Sequence, residues 1–328
     1  MKSNYRYIVK AFMAMAVIAG TTSCDDFLDR EPMSSISPET YYSTAAQLEA
    51  NLNDEYPNVL PSFGQWTYGI FGEDKGTDNQ IEVNANDRYG QDRWKVPHSE
   101  SDNWKFERIY RINFFLSEAL PKFGEDMIGS QNTISGSVAT IKHYIGEMYF
   151  LRAYEYFKKL QLFGDFPIIN QPLADEMEAL REASKRFPRN EVARFIISDL
   201  DKAYAYMSDV DMATTRINKD AAMLVKSRVA LFEATWLQNF KGTAFVPGGE
   251  GWPGASLHNN YQYPSGNIDN EVKYFLEQAV EASKLVADKY KGSLTENTGV
   301  LQQSADDPSN PYFDMFAQED LSDVKEVL

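Results

Sequence analysis

Apolar residues recur every three or four positions along five segments, and this spacing constrains the fold more than any other feature of the sequence. Each such run places one apolar stripe on a helix, and no segment shows the sustained alternation of a half-buried strand. The five stripes fall in residues 105–120, 149–163, 192–207, 222–236 and 272–290. They predict a mostly α-helical chain of paired helices, similar to tetratricopeptide repeats but without the strict repeat signature.

Helix boundaries are marked by residues that satisfy or end the backbone hydrogen bonding of a helix. Thr44 and Gln47 fit a capping box, and Asn190 and Asn218 precede helical runs as N-cap candidates. Gly164 is predicted to end the helix that carries the second stripe.

Two long loops and a few short strands are expected between the helices. The predicted strands lie at residues 166–169 and at the final residues 325–328, and the loops span residues 72–103 and 242–267. Long ordered loops are more often functional than short ones. The second loop is rich in glycine and aromatic residues, and a packed surface loop that caps the helices is its alternative interpretation.

The only cysteine, Cys24, follows a basic start, ten uncharged residues and a few small polar ones. This order predicts a secretory signal over residues 1–23, since the apolar run is shorter than the roughly 20 residues that span a bilayer. A cysteine at the cleavage point is similar to the lipobox of bacterial lipoproteins, although Thr21 and Ser23 make that box degenerate. We expect Cys24 to carry acyl chains such as palmitate; an unmodified thiol in a flexible tail is the alternative.

The net charge of the chain limits the classes of partner that it can bind. The formal net charge is −16, and removal of residues 1–23 makes it more negative. A strongly acidic protein argues against nucleic acid, whose binding needs Lys and Arg to displace counterions. With Cys24 lipidated, no thiol remains for a disulfide, so the fold depends on its core, and 43% of the residues are hydrophobic.

The sequence offers no catalytic or metal-binding constellation. His98, His143 and His258 are far apart without metal-ligand spacing, and each is expected on the surface or packed in the interior. The acidic residues 73–79 lack the complete pattern of a calcium loop. We therefore predict a binding protein with no cofactor rather than an enzyme, and a hydrolase is the least favoured alternative.

Residues 146–169, GEMYFLRAYEYFKKLQLFGDFPII, resemble the signature of the SusD/RagB family of outer-membrane lipoproteins. Further segments resemble the family in order, from CDDFLDREP at residue 24 to EDLSDVKEVL at the end, so the resemblance covers residues 24–328. Within the signature, Arg152 is predicted to stack on tyrosine rings and to pair with a carboxylate such as Glu147. Asp25 and Asp26 are similar to the signal that sends lipoproteins to the outer face of the outer membrane.

The resemblance implies a SusD-type helical fold and a lipid-anchored protein at the cell surface. Such proteins capture oligosaccharides and deliver them to a TonB-dependent outer-membrane transporter. Some members handle peptides instead, so a peptide- or protein-binding helical-repeat lipoprotein is the alternative function. Because members of the family continue beyond this length, we expect residues 24–328 to be the N-terminal helical portion of the fold.

The resemblance also places the ligand-binding site in the first long loop, near residues 78–86. That stretch has no tryptophan, and the nearest rings are Tyr89 and Trp94, of which Trp94 could instead be a core anchor. The candidate ligand-binding residues are Asp78, Asn79, Arg88, Tyr89, Trp94 and, from the second loop, Trp252.

Overall fold

The computed structural model describes residues 41–61, 80, 103–124, 126–208, 212, 215–301, 304, 306–318, 320–321 and 324. The chain divides into two compact units, residues 1–42 and residues 43–328, and the helices described below belong to the second. The predicted signal segment, Cys24 and the final strand at residues 325–328 lie outside the described residues.

Eight α-helices account for most of the described chain, which confirms the predicted fold class. They are α1 (Ala45–Val59), α2 (Glu107–Phe123), α3 (Val138–Phe163), α4 (Met177–Ala183), α5 (Arg189–Tyr206), α6 (Lys219–Asn239), α7 (Ile268–Tyr290) and α8 (Pro311–Ala317). A short 3-10 helix, Pro253–Ser256, lies in the second long loop. Among the described helices, none combines the length and hydropathy needed to cross a bilayer.

The long helices pack on one another largely in chain order around α3. Helix α3 contacts α1, α2 and α5, helix α5 packs on α6, and α6 packs on α7. Stacking of neighbours along the chain is the arrangement of helical-repeat proteins. Gly146 permits a close approach of α3 and the end of α5, because a Cβ atom there would lie 2.7 Å from the backbone nitrogen of Met207 and 2.9 Å from the carbonyl oxygen of Ala203.

Most of the predicted helix boundaries are confirmed. Thr44 and Gln47 form the capping box of α1, and the Asn218 side chain accepts from the backbone N–H of Ala221 at 2.9 Å. Gly164 ends α3 with a φ of 68°, a left-handed value that favours glycine. The N-cap prediction for Asn190 is wrong, because α5 begins at Arg189 and Asn190 is buried in its first turn.

The predicted strand at residues 166–169 is reduced to a single antiparallel bridge between Phe166 and Phe187. Side chains, rather than a partner strand, satisfy the backbone at Ile169. Its N–H donates to the Tyr156 hydroxyl at 2.8 Å, and its carbonyl accepts from Asn113 Nδ2 at 2.8 Å. No regular strand occurs among the described residues, where the two bridges are isolated.

The buried face of α7 includes Ala279 and Val286 of the predicted stripe but differs from it in the first half of the helix. Leu276 of the stripe is 38% exposed, whereas Glu271 and Phe275, which do not belong to the stripe, are fully buried. The inward position of Glu271 explains the error: a carboxylate that pairs inside the protein breaks the apolar periodicity on which the prediction depends.

Candidate functional site

The signature helix α3 carries a buried ionic cluster around Arg152. The guanidinium contacts both oxygens of Asp199 at 2.6 and 2.8 Å and donates to Asn113 Oδ1 at 2.8 Å. It also lies 5.3 Å from the centres of the Tyr149 and Phe195 rings, which confirms the predicted stacking on an aromatic ring. Arg152 is only 3% exposed, so it joins α3 to α2 and α5 rather than facing a ligand.

The predicted partner of Arg152, Glu147, belongs to a second buried cluster. Asp199 confirms the predicted pairing of Arg152 with a carboxylate, but Glu147 as that carboxylate is wrong, because Arg216 contacts both Glu147 oxygens at 2.8 and 2.7 Å. Glu147 lies five positions before Arg152 on α3, and its side chain contacts α1, where the Tyr56 hydroxyl donates to it at 2.6 Å. Burial, followed by this carboxylate, raises the pKa of Tyr56, which keeps the phenol protonated as a donor.

Both histidines in the described residues contact polar atoms of the protein through their ring nitrogens. His143 is 1% exposed, with Nε2 lying 3.0 Å from Glu147 Oε1 and Nδ1 accepting from the Ser208 N–H at 3.3 Å. His258 Nε2 lies 2.7 Å from the carbonyl oxygen of Arg186. In the described part of the chain, no group of three His, Cys, Asp or Glu side chains is placed to hold a metal ion.

A third polar cluster replaces the predicted cap at Asn190. Asn190 Nδ2 donates to Glu271 Oε1 at 3.0 Å and to the Tyr261 hydroxyl at 2.9 Å, and Arg194 contacts both Glu271 oxygens at 2.7 and 2.8 Å. Burial raises the pKa of Glu271, but the hydrogen bonds from Arg194, Asn190 and Ser265 outweigh burial and hold that pKa below its ordinary value. This cluster ties α5 to α7 and to the second long loop.

The tryptophan and the two tyrosines of the second long loop are fixed by hydrogen bonds, and that of Tyr261 reaches Asn190 on α5. Trp252 is 5% exposed and its indole N–H donates to Asp165 Oδ2 at 2.8 Å. Tyr263 donates to the carbonyl oxygen of Pro247 at 2.6 Å, whereas Phe245 is 61% exposed. The buried side chains match the alternative interpretation of a loop that caps the helices, and they leave Trp252 with little free surface.

Neighbouring lysines of α3 bind the backbone at the end of α1 and at the last residue of the first long loop. Lys158 Nζ donates to the carbonyl oxygen of Val59 at 3.0 Å, and Lys159 Nζ donates to that of Asn103 at 2.8 Å. Both ammonium groups pair with Glu155, at 2.6 and 3.2 Å. Five candidate residues of this loop lie outside the described residues: Asp78, Asn79, Arg88, Tyr89 and Trp94.

A pocket of about 250 Å³ lies close to the end of this loop, between the start of α2 and α4. Its apolar lining comprises Phe106, Ile109, Ile169, Leu173 and Leu180. Tyr110, Gln171 and Asp175 complete the lining, and all three are exposed. Their polar side-chain atoms make no hydrogen bond or ion pair within the described part of the chain, so they are available to a ligand.

The sequence alone did not identify this pocket. Its residues come from α2, from the segment after α3 and from α4, and only the tertiary fold brings them together. One available signal was Tyr110, a large ring next to the buried Ile109 but outside the apolar stripe of α2.

Several solved structures of SusD-like proteins are similar to the chain. A SusD-like protein from Bacteroides fragilis NCTC 9343 has 21% identity and a TM-score of 0.45, over 65% of this chain and 40% of the other. A laminarin-binding SusD-like protein has 16% identity and a TM-score of 0.36, over 58% and 29% of the two chains.

Curated relatives come from Formosa agariphila. SusD-like protein P2 is 26% identical over 253 residues, which are 74% of this chain and 46% of the relative. SusD-like protein P25 is 26% identical over 232 residues, 65% of this chain and 41% of the relative. The chain thus spans less than half the length of these relatives. A family model described as SusD-like, starch-binding and associating with the outer membrane matches residues 26–231, well over half of the chain. The chain belongs to this SusD-like family.

Proposed function

We propose that the protein is a cell-surface glycan-binding lipoprotein that captures oligosaccharides and delivers them to a TonB-dependent outer-membrane transporter. The observation that carries the proposal is the family match over residues 26–231, whose description names starch binding and the outer membrane. Because the chain spans less than half of its relatives, the ligand and the transporter are both inferences.

The chemistry of the chain supports a neutral ligand. A net charge of −16 disfavours anionic ligands such as nucleic acid or phosphate-rich polymers. Sugars present C–H faces that stack on aromatic rings and hydroxyls that need polar partners once desolvated. The candidates for these contacts in the loops are Asp78, Asn79, Arg88, Tyr89 and Trp94, with Trp252 as the next residue to test.

A binding screen tests the glycan proposal. We expect calorimetry across a panel of neutral polysaccharides to detect binding; the panel includes soluble starch, from the family description, and laminarin, from the name of one structural neighbour. If Trp94 or Tyr89 stacks on a sugar, Trp94→Ala or Tyr89→Ala weakens binding by about twofold to tenfold. If no polysaccharide of the panel binds while members of a peptide library do, the peptide- or protein-binding alternative is favoured. Release of sugar products from a polysaccharide would contradict a purely binding role.

Membrane fractionation tests the lipid anchor. Cys24→Ala is expected to move the protein out of the membrane fraction, since the thiol that carries the acyl chains is removed. Ser23→Ala, which leaves the cysteine in place, is the matched control. Retention of the Cys24→Ala protein in membranes would contradict the anchor, and surface protease treatment of intact cells reports which face it occupies.

Purification from the native membrane tests the transporter. In mild detergent, a large β-barrel protein is expected to co-purify with the chain. Recovery of the chain alone under every mild condition would count against this partner.

A further inference from the structure

We propose that the pocket between α2 and α4 binds a single sugar ring of a neutral oligosaccharide, with Tyr110 as the stacking surface. Gln171 and Asp175 supply hydrogen-bond partners for the sugar hydroxyls. The assignment rests on the proposed glycan-binding function and adds a site outside the two long loops.

The size of the pocket sets the size of the ligand. Its volume is about 250 Å³, below the roughly 300–1,000 Å³ of pockets that hold drug-sized ligands. A single ring therefore enters the pocket, and the rest of an oligosaccharide extends over the surface.

Tyr110 has the exposure and the support of a stacking ring. It is 51% exposed although it adjoins Ile109, which is 1% exposed in the core. The Phe114 ring lies nearly parallel to it, at an interplanar angle of 25° and a centroid distance of 6.1 Å. Contact with Phe114 on the same helix restricts the Tyr110 ring before a ligand arrives, which lowers the entropic cost of binding.

The polar side chains of the pocket favour an uncharged ligand with hydroxyl groups. The eight described residues that line the pocket include no Lys, Arg or His, so nothing in the lining attracts a phosphate or sulfate. Asp175 is the one charged residue among these eight, and a carboxylate accepts hydrogen bonds from sugar hydroxyls. The Gln171 amide both donates and accepts, which suits hydroxyls that do the same.

The apolar residues suit the faces of a sugar ring. Ile169, Leu173 and Leu180 belong to the apolar part of the lining, and Leu180 is 41% exposed on α4. Closure of an apolar surface over the C–H face of a sugar removes both from water and is favourable. A peptide carrying an apolar side chain is the competing ligand, and the test below includes it.

The test compares four variants on the polysaccharide that binds the parent protein most tightly in the panel above. We expect Tyr110→Ala to weaken binding by about twofold to tenfold, the loss of one ring stack. Tyr110→Phe keeps the ring and is expected to retain most of the affinity. Leu180→Trp fills the pocket without removing Tyr110 and is expected to weaken binding at least as much.

Tyr312→Ala is the matched control, because Tyr312 is 40% exposed and does not line the pocket. It is expected to bind as the parent does. Thermal unfolding of each variant shows whether the fold is retained, and Leu180→Trp remains decisive if Tyr110→Ala is unstable.

Three outcomes overturn the assignment in distinguishable ways. If the parent binds glycan and both Tyr110→Ala and Leu180→Trp bind equally well, the pocket assignment fails while the glycan function stands. If the parent binds no polysaccharide, both fail. If these two variants lose affinity for a peptide library and not for glycan, the pocket is a peptide site.

Discussion

Replacing Arg152 with methionine is expected to destabilise the protein by about 3 kcal/mol, near the lower end of the range for one partner of a buried ion pair. Asp199 is 0% exposed and would lose both of its guanidinium contacts, at 2.6 and 2.8 Å. Lys202 Nζ lies 3.7 Å from the same carboxylate and compensates part of the loss. Domains of this kind are stable by only about 5–15 kcal/mol, so the change is large.

Urea unfolding followed by circular dichroism measures the effect, with stability read from the midpoint at constant m-value. The control is Lys241→Met, which removes an ion pair of similar length, 2.6 Å, whose side chains are 52% and 72% exposed. It is expected to change stability by less than about 1 kcal/mol because water screens an exposed pair.

A double-mutant cycle separates the ion pair from the general cost of substitution. Arg152→Met combined with Asp199→Leu is expected to be less destabilising than the sum of the two single changes, because no buried charge is left alone. The reasoning is refuted if Arg152→Met costs no more than Lys241→Met, or if the two changes are additive.

Three further changes test the packing and the charge clusters. Gly146→Ala is expected to cost about 1–3 kcal/mol in urea unfolding, because its new Cβ would lie 2.7 Å from the backbone nitrogen of Met207; a neutral result would contradict the close helix approach. Glu271→Gln is expected to lower the free energy of unfolding most above pH 4.5, the ordinary pKa of the carboxyl. The loss becomes smaller as the pH falls through the lowered pKa of Glu271 in the folded protein, because a depressed carboxylate pKa stabilises the fold only where the group is ionised. Urea unfolding between about pH 7 and about pH 3 measures this, and a constant difference would exclude the linkage. Trp252→Phe is expected to lower stability by about 1–3 kcal/mol by removing the donor to Asp165, and an unchanged midpoint would mean that this bond contributes little.

The sequence predicts helices well where the apolar stripe itself coincides with the buried face. The stripes of α2, α3 and α5 contain buried residues such as Ile112, Tyr156 and Leu200, and buried charged residues such as Arg152 and Asp199 lie beside these stripes without displacing them. The prediction fails at the start of α7, where a charged residue takes an inward position against a distant partner. Glu271 pairs with Arg194, 77 positions away, and no local pattern reports such a pair.

Contacts between residues far apart in sequence also explain why the predicted strand at residues 166–169 was wrong and why the pocket was not predicted. Residues 166–169 have strand-like composition, but side chains from α2 and α3 satisfy Ile169, and these meet it only in the folded protein. The pocket around Tyr110 is also built by segments far apart in sequence. The family was nevertheless evident from residues 146–169, because that motif is local.

The attachment of the backbone at Val59 and at Asn103 to adjacent lysines of α3 has a consequence for the stretch of chain between these two residues. Lys158 and Lys159 bind backbone carbonyls, so neither contact depends on which side chain stands at position 59 or 103. Doubling the length of a loop held at fixed ends costs only about 0.6 kcal/mol. A longer or shorter stretch between the two anchors can therefore be accommodated at little cost in loop-closure entropy, while both lysine contacts are kept.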